Sequence, residues 1–315
     1  MKTKSDPSDS VQLVRVEKSH IGQRLDNFLI RQLKGVPRTR VYRLIRRGEV
    51  RVNKKRCKPE RKLDMGDEVR IPPYTTNYKQ QSLKPSPALI EFLLESILFE
   101  SSELLVINKP AGMAVHGGTS VVLGLIEALR QCKPEWGELE LVHRIDRGTT
   151  GCLVVAKNPI ILKYLQNQLK VKNVKKHYLA LVHGNWPETL ELVDAPLQKD
   201  ALGENEQIVR VVDSGKPSIT RFAVRQQFEG ASLIEAMPET GRTHQIRVHC
   251  QHSGHGIVGD AKYTFRAKNK ALAKVKNLCL HAWKIEFDMP GGAAPVSVEA
   301  PIPNQLASIM ENLSK

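Results

Sequence analysis

The stretch "LVHRIDRGTTGCLVVAKN", Leu141 to Asn158, joins a cluster of charges to an apolar run. In an extended segment neighbouring side chains point to opposite faces, so Arg144 and Asp146 are expected on one face and Ile145 on the other. A carboxylate beside a guanidinium stays ionised, because nearby positive charge stabilises it. The pattern fits either a solvated surface ion pair, which is the usual meaning of R-x-D, or a carboxylate prepared for chemistry.

Around this stretch, apolar runs of strand length recur through residues 88–315, with few helical patterns between them. The predicted strands are "SELLVINKP", "GCLVVAKN", "HYLALVHG", "TRFAVRQQF", "ASLIEAMP" and "LCLHAWKIEF". The predicted helices are "SVVLGLIEALRQC", "ILKYLQNQLKVK" and "THQIRVHCQHSG". Many strands with few helices predict an α+β domain built on a mostly antiparallel, mixed sheet.

Residues 22–72 have a different pattern and predict a separate small domain. "GQRLDNFLIRQL" has apolar residues at helical spacing, and "PRTRVYRLIRRGEV" predicts a second helix, with Pro37 near its start and Gly48 as its stop signal. "VRVNKKRC" and "GDEVRIPP" predict short strands. Residues 1–21 are expected to be a disordered lead-in, and residues 73–87, with prolines at both ends, a linker.

The second helix of this small domain carries a row of arginines. Arg40, Arg43 and Arg47 are spaced i, i+3, i+7, while Val41, Leu44 and Ile45 supply a buried stripe. A solvated helix face is the usual explanation for such a row. Here the row continues into "NKKRCKPERK", and one continuous basic surface indicates nucleic-acid binding. The candidate RNA-binding residues of this domain are Arg40, Arg43, Arg47, Lys54, Lys55 and Arg56.

Charge is distributed unevenly along the chain, whose net charge is +15. Residues 1–80 carry 21 lysines and arginines against nine acidic residues, a net charge of +12, and the remainder carries 27 against 24, a net charge of +3. Such an uneven distribution of charge predicts that one end of the chain binds a polyanionic partner. The polar start "MKTKSDPSDS" and five scattered cysteines without a C-x-x-C pair favour a cytoplasmic protein.

Two further stretches are polar where folding alone does not require it. In "KKHYLALV", Tyr178 opens an apolar strand, where a tyrosine usually packs in the core. In "GRTHQIRVH", Thr243 is the predicted N-cap of a helix on which His244, Arg247 and Gln251 share a polar face. Gly254 is the predicted end of that helix. The loop "INKPAGMAVHGG" is a weaker candidate.

Metal and nucleotide chemistry receive little support. His244, His249, His252 and His255 are close in sequence, but their spacing matches no H-E-x-x-H pattern and no cysteine pair accompanies them. The chain lacks a G-x-S-x-G nucleophile motif and a G-x-x-x-x-G-K-[ST] phosphate loop. We therefore expect no metal and no cofactor.

Taken together, "HRIDRGTTG", "KKHYLALV", "GRTHQIRVH", "GIVGDAKY" and "LCLHAW" resemble the motif set of the pseudouridine synthases that act on ribosomal RNA. The stretch from Arg24 to Ile71 resembles the alpha-L RNA-binding domain also found in a ribosomal small-subunit protein. The resemblance implies isomerisation of specific uridines to pseudouridine in large-subunit (23S) ribosomal RNA. Oligomeric state stays open, although nothing in the sequence demands more than a monomer. Because no apolar run approaches the roughly 18 residues that span a bilayer, we also expect no membrane partner, and we expect no nucleotide cofactor.

The resemblance also implies roles for individual residues. Asp146 matches the catalytic aspartate that starts breakage of the N-glycosidic bond, by attack on the ribose, by attack on the base or by abstraction of a ribose proton. Tyr178 matches the tyrosine that stacks on the flipped-out base, and Arg247 matches the basic residue that pairs with the aspartate. Arg144 matches an arginine that fills the gap left by the extruded uridine.

Two alternatives remain open at this level. A non-catalytic RNA-binding or ribosome-assembly factor would also suit the basic N-terminal region, although it has no need of Asp146, Tyr178 and Arg247 together. An RNA-directed hydrolase or glycosidase would normally pair two carboxylates, and the matched motifs supply no obvious second acid.

Overall fold

The structure, a computed structural model, describes residues 10–33, 36, 38–74, 84–117, 123–202, 206–263, 272–292 and 294–314. The chain divides into two units, Met1–Leu83 and Lys84–Lys315. Each unit is described by itself below.

The first unit combines a three-stranded antiparallel sheet with two helices. The central strand of the sheet is β3, which pairs with β1 on one side and β2 on the other. The elements in chain order are β1 (Gln12–Arg15), α1 (Leu25–Gln32), α2 (Arg38–Arg47), β2 (Arg51–Val52) and β3 (Glu68–Ile71).

Both helices of the first unit bury the apolar positions that the sequence pattern indicates. Leu25, Phe28, Leu29 and Leu33 of the first helical pattern are all buried. On α2, the stripe of Val41, Leu44 and Ile45 is also buried. The helix ends where predicted, because Gly48 has a φ of 73°, a left-handed conformation that favours glycine. The predicted role of Pro37 falls outside the described residues.

The prediction of a disordered lead-in over residues 1–21 is wrong for its second half. Strand β1 pairs with β3, with Leu13 opposite Arg70, and Val16 is buried in the core of this unit. Cross-strand backbone hydrogen bonds therefore order a stretch that composition alone marks as a tail. Residues 1–9, and residues 75–83 of the predicted linker, lie outside the described residues.

The second unit is an α+β domain. Its strands are β4 (Ile97–Glu100), β5 (Leu104–Lys109), β6 (Glu140–Leu141), β7 (Thr150–Ala156), β8 (Lys175–His183), β9 (Leu192–Asp194), β10 (Leu197–Leu202), β11 (Glu206–Val211), β12 (Ile219–Phe228), β13 (Ala231–Pro238), β14 (Leu280–Phe287) and β15 (Val296–Glu299). Its α helices are α3 (Pro87–Glu95), α4 (Leu125–Leu129), α5 (Pro159–Lys170), α6 (Gln245–His252) and α7 (Asn304–Leu313).

Ten of these strands form one mixed sheet in the order β4-β5-β7-β14-β8-β13-β12-β9, with β15 on β14 and β6 on β7. Within the described residues, every pairing in this sheet is antiparallel except that of β7 with β14. The predicted fold class is thus confirmed, and all six predicted strands are present. The pattern did not reveal α3, α7 or the shorter strands.

The sheet is covered on both faces. One core cluster includes Leu105, Ile107 and Leu153, and a second includes Leu104, Val154 and Ile161. Successive residues of β5 and β7 thus point into different cores, as strand geometry requires. Among the helices that the structure describes, none is both long and apolar enough to cross a membrane.

The centre of the sheet depends on a close approach between β7 and β14. Gly151 has a φ of 102°, and a Cβ atom at this position would lie 2.2 Å from the carbonyl oxygen of Ala282. No side chain fits there without moving backbone. Because Gly151 follows the charged loop directly, this contact also anchors that loop to the sheet.

We expect Gly151→Ala to lower the free energy of unfolding by about 2–6 kcal/mol, since it adds left-handed strain to an overpacked contact. Gly254→Ala is the matched control. Gly254 has a φ of 81°, but no atom lies within 4 Å of the position that a Cβ would take, so the control should lose only about 1–2 kcal/mol. Urea unfolding of both variants measures the difference, and equal losses would contradict the packing argument.

Candidate active site

Asp146 lies in the loop that joins β6 to β7. The predicted alternation of faces is present, because Arg144 is exposed, Ile145 is buried and the side chain of Asp146 is 25% exposed. The carboxylate is therefore neither a surface charge nor a sealed one. It remains reachable from solvent while its neighbours are fixed by the core.

The guanidinium that holds Asp146 comes from Arg247 on α6, not from Arg144. Nη1 of Arg247 donates to Oδ2 of Asp146 over 3.1 Å. Nε and Nη2 donate to the two carboxylate oxygens of Asp260 over 2.7 and 2.8 Å, a bidentate pair. One guanidinium, on a side chain that is 11% exposed, thus bridges two acids from different parts of the chain.

Asp260 is the fixed end of this bridge. Its side chain is 1% exposed, and its Oδ1 also accepts from the backbone N–H groups of Lys262 and Tyr263. Burial acts to raise the pKa of Asp260, but the hydrogen bonds and charge of Arg247 outweigh burial and hold it below its usual value. Burial likewise acts to lower the pKa of Arg247, and the two acids raise it above its usual value. Both groups are charged at neutral pH.

His244 approaches the same oxygen of the Asp146 carboxylate as Arg247 does. Its Nε2 is 3.9 Å from Oδ2 of Asp146, and its Nδ1 lies 2.7 Å from the hydroxyl of Tyr263. Burial lowers the pKa of His244 to about 4, so the imidazole is neutral at pH 7. Its backbone has a φ of 55°, a strained conformation for a non-glycine residue that is typical of functional sites.

The start of α6 differs from the sequence prediction. The N-cap position belongs to His244 rather than to Thr243, and no side chain caps the helix. The side chain of Gln245 instead orders the preceding loop, because its Oε1 accepts from Arg242 N–H and from the Thr240 hydroxyl. Gly254 has left-handed dihedral angles just beyond the helix, as predicted.

Tyr178 lies on β8, next to β14 in the sheet. Among the residues that the structure describes, none hydrogen-bonds to its hydroxyl. Burial, followed by the negative charge of Asp146, raises the pKa of Tyr178 above its usual value. The phenol is therefore neutral. Tyr178 is only 9% exposed and packs in the core cluster of the sheet, as the usual explanation for a tyrosine at this position predicts, but it also lines the cavity described below.

Residues of the loop "INKPAGMAVHGG", the weaker candidate in the sequence, hydrogen-bond to the loop that contains Asp146. Lys109, at the end of β5, is 0% exposed and donates to the carbonyl oxygens of Pro110, Met113 and Arg147 over 2.7, 3.0 and 3.1 Å. Burial lowers the pKa of Lys109 to about 8. In addition, the Arg147 guanidinium donates to the Gly112 carbonyl over 2.7 Å. The two loops are thus joined by charged donors.

Asp146, Tyr178, Arg247 and Arg144 line one cavity of about 790 Å³ in the second unit. The structure therefore brings together the three residues proposed as catalytic. The lining is strongly basic, with seven lysines and arginines against the two acids Asp146 and Glu239. The cationic residues that sequence reasoning missed are Lys170, Lys172, Lys176, Lys199 and Arg242.

The other predicted RNA-binding residues lie in the first unit. Arg43, Arg47, Lys54, Lys55 and Arg56 are exposed, and Arg40 is half-buried. The Arg56 side chain reaches back to the end of α2, where its Nη2 lies 3.5 Å from the Arg47 carbonyl oxygen. The turn after β2 and the end of α2 therefore belong to one basic surface.

Three of the four histidines considered as metal ligands have other partners, His244 among them through the Tyr263 hydroxyl. His249 lies 2.9 Å from the Thr220 hydroxyl, and His255 lies 2.9 Å from the His183 carbonyl oxygen. Across the described ranges, no group of three or more His, Cys, Asp or Glu side chains is arranged to hold a metal ion.

Replacing Asp260 with Asn should lower the free energy of unfolding at pH 7 by about 3–5 kcal/mol, because it leaves Arg247 buried with only part of its countercharge. The folded-state pKa of Asp260 lies below 3.8, so the stability that the carboxylate contributes is present above about pH 4 and is lost as pH falls through that lower value. The deficit of the variant should therefore shrink below pH 4.

Urea unfolding of wild type and variant between pH 3 and pH 8 measures this deficit. Asp288→Asn, at an exposed position, is the control and should match wild type throughout. A deficit for Asp260→Asn that is constant down to pH 3 would contradict the assignment of the ion pair.

The pattern of the family described as RNA pseudouridylate synthase matches residues 103–252, and that of the S4 domain matches residues 23–69. The first match includes Asp146, Tyr178 and Arg247. The second includes the basic helix α2 and the turn after β2.

Similar proteins are found over nearly the whole chain. "Ribosomal large subunit pseudouridine synthase C" of Salmonella typhi is 47% identical over 309 residues, which cover 96% of this chain and 97% of that protein. The proteins of the same name from Escherichia coli (strain K12) and Vibrio vulnificus (strain CMCP6) are 46% and 48% identical, covering 96% of this chain and 97% and 96% of those proteins.

Solved structures resemble the fold. "Human RNA Pseudouridylate Synthase Domain Containing 4" aligns with a TM-score of 0.61 at 24% identity and covers 72% of this chain and 96% of that one. "Human RNA Pseudouridylate Synthase Domain Containing 1" aligns with a TM-score of 0.56 at 26% identity and covers 73% and 98%. With its full-length relatives, its matched motifs and its basic cavity, this chain belongs to the RNA pseudouridylate synthase family.

Proposed function

We propose that this enzyme isomerises uridines of large-subunit ribosomal RNA to pseudouridine and that the carboxylate of Asp146 starts the reaction. The observation that carries the proposal is the convergence of Asp146, Tyr178 and Arg247 in one basic cavity. Relatives that are 46–48% identical over 96% of this chain bear names that specify the large ribosomal subunit, which supports this substrate.

The reaction balances without a co-reactant. The bond between the ribose C1′ and N1 of uracil breaks, the base turns within the site, and a bond from C1′ to C5 forms as C5 gives up its proton and N1 regains one. Asp146 starts the first step. Arg247 keeps the carboxylate oriented, because its other two donors are held by Asp260.

A uridine inside folded RNA has to leave its stack to reach Asp146, at a cost of a few kcal/mol. Stacking on the Tyr178 ring can return roughly 1–3 kcal/mol. The phenol stays neutral because burial raises its pKa, so it offers a ring face and a hydroxyl rather than a second anion. Arg144, which is exposed and lines the cavity, would occupy the gap in the RNA.

The basic surface of the first unit would contribute phosphate contacts. Such contacts position a folded RNA without reading its sequence, and recognition of structured RNA relies mainly on shape. Selection of the uridine then depends on which nucleotide the bound RNA presents to the cavity of the second unit.

Asp146→Ala should reduce pseudouridine formation in a large-subunit ribosomal RNA transcript by on the order of 10³-fold or more, because the site loses the group that starts the reaction. Folding and RNA affinity should stay near wild type. The measurement is mass-spectrometric detection of pseudouridine, with circular dichroism and RNA binding as controls.

Retained activity in the Asp146→Ala protein would refute the role of this carboxylate. Release of free uracil by the wild-type enzyme would instead identify a glycosidase. Wild-type binding to the transcript without any modification would identify a non-catalytic factor or a different RNA substrate.

Replacing Arg43, Arg47, Lys54 and Lys55 together with glutamine should weaken RNA binding and make it less sensitive to salt. Each lost phosphate contact lowers the slope of log affinity against log salt by about 0.7–0.9. Binding titrations at several salt concentrations measure the slope. Lys18→Gln, which removes an exposed charge of the same unit outside this surface, is the control, and an unchanged slope in the fourfold variant would show that RNA binds elsewhere.

A further inference from the structure

Lys176 lies on β8, two residues before Tyr178. Side chains at positions i and i+2 of a strand point to the same face, and both residues line the cavity that contains Asp146. The intervening His177 points the other way, where its Nδ1 lies 2.6 Å from Oε1 of Glu235. The strand itself therefore directs the Lys176 ammonium toward the same space as the Tyr178 ring.

The Lys176 ammonium is half-buried without a countercharge. Within the part of the chain that the structure describes, no side chain or carbonyl forms an ion pair or hydrogen bond with it, and burial alone lowers its pKa. Both acids of the cavity are already engaged. Asp146 is paired with Arg247, and Glu239 lies 2.8 Å from Arg221 and 3.5 Å from Lys172.

An unpaired, half-buried ammonium destabilises the folded protein, since burial removes water from the charge without replacing it. A cationic group kept at such a cost next to a reaction site indicates an anionic ligand. Uracil is neutral, as is ribose, so the phosphates are the anionic part of an RNA substrate.

We propose that Lys176 binds the backbone phosphate beside the nucleotide whose base stacks on Tyr178, and thereby positions the flipped-out nucleotide over Asp146. The proposal rests on the proposed function of this site. The Cα atoms of Lys176 and Tyr178 are about 7 Å apart along the strand. This spacing suits the phosphate and the base of one nucleotide. The flexible lysine stem can adjust to the phosphate while the ring holds the base.

Lys176 is a positioning residue in this scheme, because it contacts the substrate backbone and not the reacting atoms. The bound phosphate would also reverse the effect of burial, since opposite charge favours the ammonium. The stability that the free protein lacks is then recovered only in the complex with RNA.

The kinetic test compares wild type with Lys176→Gln, Lys176→Arg and Lys175→Gln in single-turnover pseudouridine formation on a large-subunit ribosomal RNA transcript. Lys175 is the matched control, because it is the preceding residue of the same strand and is exposed on the opposite face. Lys176→Gln should raise the RNA concentration for half-maximal rate roughly 10- to 150-fold, the range for a hydrogen bond to a charged group. Lys176→Arg should recover most of this loss, and Lys175→Gln should match wild type.

Two further measurements separate a phosphate contact from other roles. In the inactive Asp146→Ala background, adding Lys176→Gln should lower the slope of log RNA affinity against log salt by about 0.7, whereas a contact to a base carbonyl would leave the slope unchanged. In the absence of RNA, Lys176→Gln should raise Tm, because it removes an uncompensated charge. A purely structural lysine would give a lower Tm.

An unchanged half-maximal RNA concentration, an unchanged salt slope or a lowered Tm in the Lys176→Gln protein would each overturn the proposal. Failure of the proposed function has a different signature. In that case the wild-type enzyme makes no pseudouridine in the transcript, or the Asp146→Ala protein stays active, while the salt slopes still report on Lys176.

Discussion

The site depends on how the guanidinium of Arg247 is shared. Two of its nitrogens are held by Asp260, whose own carboxylate is fixed by the backbone N–H groups of Lys262 and Tyr263. The third nitrogen therefore has one direction left, and Asp146 lies there at 3.1 Å. A bidentate pair gives orientation as well as energy. The Asp146 carboxylate is thus held by an arginine that two further hydrogen bonds anchor, without being buried itself.

The sheet brings these groups together from distant parts of the sequence. In the sheet, β14 lies between β7 and β8. The loop before β7 and the face of β8 that lines the cavity are therefore close to each other near the centre of the sheet. The close contact of Gly151 with Ala282 sets the position of the loop, and Lys109 ties its carbonyl groups to the end of β5. The strained backbone of His244 persists because both sides of the residue are held. The rigid strands therefore fix the position of the loop that contains Asp146.

Most of the correct sequence predictions rest on local patterns of residues. Strand alternation placed Arg144 and Ile145 correctly, helical periodicity predicted the buried stripe of α2, and the matched motifs selected the residues that line the cavity. Some misses are local, such as the N-cap of α6 and the helices α3 and α7, but those that affect the site most involve long-range pairing. Strand β1 is ordered by β3, more than 50 residues away in sequence, and Asp260 becomes part of the site only through Arg247. The basic lining of the cavity was also missed, because lysines on separate elements disappear in the near-neutral charge of the whole region.

The net charge of a unit and the charge around its cavity thus relate to different parts of RNA binding. The first unit carries an excess of exposed cations, which suits attraction to any folded RNA. The second unit is almost balanced overall, yet seven of its lysines and arginines line one cavity together with only two acids. Half-buried charges interact more strongly than exposed ones, since salt and water screen them less. Of the seven cations that line the cavity, Lys176 and Arg247 are half-buried and the others are exposed. Arg247 is held by two acids, so Lys176 is the cavity cation that would fix the position of one nucleotide more firmly than an exposed cation of the N-terminal surface could.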